Sequence, residues 1–79
     1  MLLTDLSVGQ TGIIEHVLPN FSLYTRLTDI GFSKDVTVKA LMKSPLGDPT
    51  AYLIKGTVIA LRQEDAKNIF IRRERLGSY

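Results

Sequence analysis

A lone histidine, His16, the adjacent acids Glu64 and Asp65, and five serines supply most of the groups in this 79-residue chain whose types could do chemistry. A metal site needs converging ligands, and one imidazole in a chain without cysteine does not build one. His16 sits inside a β-branched run and reads as a half-exposed strand residue. An oxygen-only site from Asp and Glu fits by residue type, but no spacing singles one out. Glu64 and Asp65 would occupy neighbouring positions of a helical turn and project apart, so they read as acids at a helix start, where the macrodipole favours them, and not as an acid–base pair. Ser7, Ser22, Ser33, Ser44 and Ser78 lack a G-x-S-x-G setting and an adjacent base. Neither a G-x-x-x-x-G-K-[ST] loop nor a G-x-G-x-x-G loop occurs. The expectation is a protein with no catalytic residue, no metal ligand set and no cofactor, whose work is recognition.

Ten basic and eight acidic residues leave a net charge of +2, too small to demand a polyanionic partner. The one dense cluster, Arg72-Arg73-Glu74-Arg75, reads as solvated charge. Tyr24, Tyr52 and Phe70 do not interleave with bases into a stacking platform, so nucleic-acid binding is the weakest of the functional readings. With 44% hydrophobic and 23% charged residues the chain suits a globular domain. At this length burial reaches only about 60% of the unfolded surface, enough for one small core. The N-terminal segment meets Asp5 at once and has no basic lead and no sustained apolar run, which is unlike a signal peptide. Apolar runs fall far short of the roughly 20 residues of a spanning helix. Together with the absence of cysteine, these features point to the cytoplasm and to no insertion into a membrane.

What remains is a turn. Ser44-Pro45-Leu46-Gly47-Asp48-Pro49 places two prolines around a Gly-Asp pair between two strand-like runs. Each proline fixes its own φ, Gly47 can take positive φ, and Asp48 can bond nearby backbone, so the loop has a set shape. A rigid presented loop suits docking. Its candidate contact residues, with those of the adjoining strand, are Leu41, Lys43, Pro45, Leu46 and Asp48. Leu46 reads equally as a docking residue or as a cover for the rim of the fold.

The elements that would hold this loop follow from periodicity. Residues 3 to 10 form a lead-in with Leu3, Leu6 and Val8, ending at Gly9. Thr11 to Leu18 reads as a strand with Gly12 allowing a bend, and Pro19 closes it. Asn20 or Ser22 can cap a helix in which Leu23, Leu27 and Ile30 share a face. Gly31 stops that helix, and Phe32 folds back on it. Asp35 to Lys43 alternates, with Val36, Val38, Ala40 and Met42 on one face and Thr37, Lys39, Leu41 and Lys43 on the other. Ala51 to Lys55 and Val58 to Arg62 are strands joined at Gly56; residues 63 to 67 make one helical turn, and Asn68 to Arg72 a last strand. About five short strands must solve an edge problem, and curling is the economical solution. The expected fold is mainly β: a small SH3-like β-barrel with one inserted α-helix and a short helical turn before the last strand. The domain is expected over residues 1–75, with a tail at 76–79. Exposed strand edges leave self-association open.

Three segments, Leu27-Thr28-Asp29-Ile30-Gly31-Phe32, Ser44-Pro45-Leu46-Gly47-Asp48-Pro49 and Ala60-Leu61-Arg62-Gln63-Glu64-Asp65-Ala66 with Ile69, resemble in order and spacing the FeoA family. The resemblance runs from Leu6 and Gly9 to Ile71, with the Pro-Leu-Gly-Asp-Pro turn its most specific element. It implies a small cytoplasmic SH3-like accessory protein of bacterial ferrous iron uptake, working with the membrane transporter FeoB. It also brings an association with transition-metal binding, read here as an association with the pathway. The same fold is implied for the C-terminal domain of DtxR-type metal-dependent repressors, which gives the alternative reading of a regulatory domain; no DNA-binding segment is visible in this chain. Lys34-Asp35 departs from the family's Pro-Gly, so the turn before the second strand should differ in shape. Arg62 matches the family's arginine and is expected to hold the barrel through a carboxylate or backbone contact.

Overall fold

The strand that organises the molecule, β1 (Thr11–Val17), pairs with two different neighbours along its length. Its first residues, Thr11 to Ile13, run antiparallel to β2 (Thr37–Lys43), and Gly12 to Val17 run antiparallel to β5 (Ile69–Arg73). Gly12 suits the close approach of β5. A Cβ there would lie 2.7 Å from Ile71 Cδ1 and 3.3 Å from the Arg72 carbonyl oxygen, so the Ile71 side chain or the strand itself would have to shift. Between Ile14 and His16 the register shifts at a bulge, and Ile14 is buried while Glu15 and His16 both face solvent.

In this computed structural model, which describes residues 1–74, β3 (Thr50–Ile54) and β4 (Thr57–Leu61) complete a five-stranded antiparallel sheet of order β4-β3-β2-β1-β5. The expected boundary between domain and tail, and Arg75 of the basic cluster, lie outside the described residues. Lys55 (φ 48°) and Gly56 (φ 77°) form the two-residue link between β3 and β4. Positive φ at both positions is the hairpin turn whose twist matches that of paired strands, and it sets the register Ile54↔Thr57. Helix α1 (Tyr24–Ile30) is inserted between β1 and β2, a single turn α2 (Gln63–Ala66) joins β4 to β5, and a short helical turn at Leu3–Asp5 precedes the sheet. The sheet curls round its core without closing, since β4 and β5 are its two ends. This is the small SH3-like barrel expected from the sequence.

One core serves every element: Leu3, Leu6, Ile14, Leu27, Phe32, Val38, Ala40, Tyr52, Ile54, Leu61, Ala66, Ile69 and Ile71. Leu27 anchors α1, and Leu23 and Ile30 pack beside it at the rim. At the helix end Gly31 takes φ 134°, and the Leu27 carbonyl accepts from the N–H groups of both Gly31 (3.1 Å) and Phe32 (2.9 Å). Phe32 is thereby folded fully into the core.

Three expectations are corrected. The helix is not capped by Asn20 or Ser22: it starts at Tyr24, with Leu23 in the cap position and no side-chain cap bond. Packing of Phe21 and Leu23 on the core and the bond from the Tyr24 N–H to the Phe21 carbonyl (3.1 Å) set its start instead. Val8 leaves the apolar lead-in and is 52% exposed. In β2 a second bulge, between Ala40 and Met42, reverses the alternation, so Leu41 is half-buried and Met42 faces solvent.

Gly12→Ala should lower unfolding stability by about 1–3 kcal/mol through overpacking against Ile71 and β5. Gly9→Ala, with φ 91° but open space around its Cβ, should cost about 1 kcal/mol from backbone strain alone. Denaturant midpoints compare the two, and an equal or smaller loss at Gly12 would remove the close approach as its reason.

Candidate protein-docking surface

The Ser44–Pro49 turn is closed by its own backbone and side chains. The Ser44 N–H donates to the Pro49 carbonyl (3.0 Å), and the Gly47 N–H to the Ser44 carbonyl (2.8 Å). The Ser44 hydroxyl donates to the Asp48 carbonyl (2.7 Å). Gly47 takes φ 88°, and the Asp48–Pro49 peptide is cis. With its polar groups turned inward, the loop leaves Leu46 at its tip 94% exposed. Pro45 and Lys43 are exposed beside it.

The other candidates separate. Asp48 is exposed, but its carboxylate accepts the Gln63 N–H at 2.9 Å, 15 positions along the chain. Gln63 opens α2, so Asp48 satisfies one of that turn's free backbone donors and adds negative charge at its N-terminus. Asp48 thus has a structural role. Leu41 is half-buried by the β2 bulge, and Met42, which alternation had placed inside, is 63% exposed. The accessible apolar groups of this hairpin are therefore Met42 and Leu46. Sequence alternation could not find Met42, because nothing in the residue types of β2 marks the bulge.

Below the turn lies Tyr52, 3% exposed. Burial pushes its phenol above the usual 10.0; a side-chain hydrogen bond with Thr50 opposes the rise and the negative charge of Asp48 adds to it. Elsewhere Arg72 spans the β1 bulge and the turn before β2, reaching Glu15 (3.9 Å) and Asp35 (3.3 Å). Asp35 takes φ 71° and donates its N–H to the Ile14 carbonyl (2.7 Å), so the turn at Lys34-Asp35 is held by β1. Arg62 does not hold the barrel: it pairs with Glu64 at 3.5 Å, and with side chains 72% and 67% exposed the pair contributes little. His16 is exposed, its ring 6.1 Å from that of Phe70. Among the described residues no three His, Cys, Asp or Glu side chains come together. No helix there is long and apolar enough to cross a membrane.

A curled five-stranded sheet with one inserted helix and a presented proline-rich hairpin defines a small SH3-like domain. Residues 1–73 match the FeoA domain family, and the chain belongs to it. A fusion of Fe(2+) transport protein A with the Fe(2+) transporter FeoB, from Porphyromonas gingivalis, is 32% identical over 69 residues; the match covers 87% of this chain and 8% of that protein. The crystal structure of Stenotrophomonas maltophilia FeoA complexed with zinc, described as a prokaryotic SH3 domain protein, is 29% identical. It superposes with a TM-score of 0.80, covering 90% of this chain and 88% of that one. A manganese-dependent transcriptional repressor shares the fold at 17% identity, with a TM-score of 0.81 over 94% of this chain and 41% of the repressor.

Asp48→Ala should cost about 1 kcal/mol of unfolding stability, the usual loss of a cap, whereas Leu46→Asp should change stability by less than about 0.5 kcal/mol; denaturant titration separates structural residue from presented one. Tyr52 gives a pH dependence. The folded phenol keeps its proton to higher pH than the unfolded one, so its contribution is intact below pH 10.0 and is lost as pH rises through the folded-state value. Stability should therefore fall on the alkaline side, and Tyr52→Phe should flatten that fall; an unchanged alkaline slope in the variant would assign it to other groups.

Proposed function

We propose that this chain is a cytoplasmic, non-enzymatic accessory protein of ferrous iron uptake that acts by binding the cytoplasmic part of a FeoB-type transporter. The observation that carries this reading is the Porphyromonas gingivalis relative, in which the matching segment is part of one polypeptide with FeoB. Covalent linkage raises the effective concentration of two modules, which serves modules that act on each other. The contact is assigned to the hairpin: Leu46 and Met42 supply exposed apolar area on a loop that is already rigid, so little conformational entropy is lost on docking. Lys43 and Pro45 flank them, Leu41 supports the strand from its half-buried position, and Asp48 holds the loop to α2 and is not itself a contact.

The alternative reading, a regulatory barrel of the kind found in metal-dependent repressors, shares only the fold with this chain. A tight, stoichiometric site for manganous or ferrous ion in calorimetry would favour it over the docking reading.

The isolated cytoplasmic region of FeoB should capture the wild-type protein, and Leu46→Asp or Met42→Asp should weaken capture about tenfold, a loss of roughly 1.4 kcal/mol at an interface anchor. Undiminished capture of both variants removes the hairpin from the interface, and no capture of the wild type refutes the partner.

A further inference from the structure

The two edges of the sheet are treated differently. Along β5 the chain's own N-terminus covers the edge: the Met1 ammonium donates to the Ile71 carbonyl (3.0 Å), the Ile71 N–H to the Met1 carbonyl (2.7 Å), and Leu2 bridges to Phe70. Among the described residues β4 has no such cover. Its register with β3 is set by the Lys55-Gly56 turn, whose closing pair Ile54↔Thr57 is a hydrogen-bonded one. Alternation then directs the backbone groups of Thr57, Ile59 and Leu61 toward β3, and those of Val58 and Ala60 outward. Among the described residues no backbone bond outside the sheet engages Val58 or Ala60.

Edges left open in this way are usually guarded by a lysine, a proline or a bulge. Thr57-Val58-Ile59-Ala60-Leu61 has none of these: it is uncharged, pairs regularly along its length, and Val58 is 61% exposed. Beside it runs a groove of about 360 Å³ between β4 and α1, with Leu23, Leu27 and Ile30 on the helix side. The groove's one charged lining residue is Arg26, exposed and in no ion pair among the described residues.

We propose that β4 is a strand-addition site that takes an extended segment of a partner protein, carrying apolar residues and one carboxylate placed to meet Arg26. The outward N–H and C=O groups of Val58 and Ala60 supply main-chain hydrogen bonds, the α1 side of the groove accepts apolar side chains, and Arg26 selects a segment bearing an acid. This rests on reading the chain as a docking module, but not on which protein supplies the segment. It is also a second surface, separate in sequence from the 44–49 hairpin.

The probe is a blocked peptide, Val-Thr-Glu-Thr-Val, whose two valines and glutamate share one face of an extended strand, followed by amide NMR shifts of the wild-type protein. Its addition should move the resonances of residues 57–61 and of Arg26 and its neighbours. Only alternate residues of an added strand bond to the edge. N-methylation of one alternate set of peptide amides should therefore abolish binding, and methylation of the other set should leave it nearly intact. Replacing Glu by Lys should weaken binding about 2- to 5-fold, the range of an exposed ion pair, and Arg26→Glu should reverse that preference. Arg26 is on the helix surface, so the swap tests charge without disturbing the core. Four outcomes overturn the proposal: shifts absent from β4, equal tolerance of both methylation patterns, equal affinity of the Glu and Lys peptides, and β4 shifts that depend on protein concentration without peptide, which would make a second copy the occupant. Failure of FeoB capture leaves this test standing, and failure here leaves the hairpin test standing.

Discussion

The rest of the molecule depends on how β1 is staggered between its two neighbours. β2 and β3 also pair on both sides, but in β1 the pairing with β2 stops at Ile13 while the pairing with β5 continues past a bulge to Val17, so the strand bends as the sheet curls round the core. Two local devices allow it: the missing Cβ at Gly12, where β5 comes closest, and the bulge at Glu15, which adds twist and points two successive side chains outward. Arg72 then ties the outside of that bend, with carboxylates from β1 and from the turn before β2 on either side of its guanidinium. Exposed pairs of this kind contribute little singly; the burial of Ile14 and Ile71 on the inner side of the bend stabilises it more.

Once β1 is bent, β2 and β3 follow as a hairpin whose far end is the 44–49 turn, and the turn returns to the body of the fold through Asp48. That carboxylate joins the loop to the first residue of α2, and α2 in turn delivers the chain from β4 to β5. A loop held at both its strand ends and at its carboxylate keeps one shape, which is what lets an exposed Leu46 present itself without being supported by neighbours. The buried phenol of Tyr52, with Thr50 and Asp48 near it, lies under the same corner, so polar and apolar parts of the turn are fastened to the same short strand, β3.

Much of this was legible in the residues. The Leu23, Leu27, Ile30 spacing with Gly31 and Phe32 identified the inserted helix and its end; the punctuation by Gly56 and the acids at 64 and 65 located the β3–β4 link and the α2 turn. These signals are local, set by backbone conformations that few residue types adopt. The misread features are those in which distant partners decide. The β2 bulge, which exchanged Leu41 for Met42 on the surface, depends on how β3 meets β2. The helix start depends on core packing of Phe21 and not on the capping side chains nearby. Asp48 was legible as a turn residue bonding backbone, but not as the residue that receives Gln63, because two strands within that 15-residue separation must first be placed. Arg62 was expected to hold the barrel and stands in solvent for the same reason.

The economy of so small a core explains where recognition must lie. Among the described residues thirteen buried apolar side chains account for the enclosed volume, and each strand is short enough that its inner positions are all committed to it. A chain of this kind has little interior to spare for a ligand, which is why the proposed contacts lie on a turn and an edge. The N-terminus is used to cover β5, and the hairpin carboxylate is used to fasten α2. The parts not committed to the fold's own support are the Leu46 tip and the outward backbone of β4. One offers apolar side chains on a rigid loop, the other offers main-chain groups with no partner among the described residues, beside an apolar groove with Arg26 on its lining. They would be read by different features of a partner, a pocket in the first case and an extended segment in the second, and a protein engaging both would be held in one orientation by contacts that neither supplies alone.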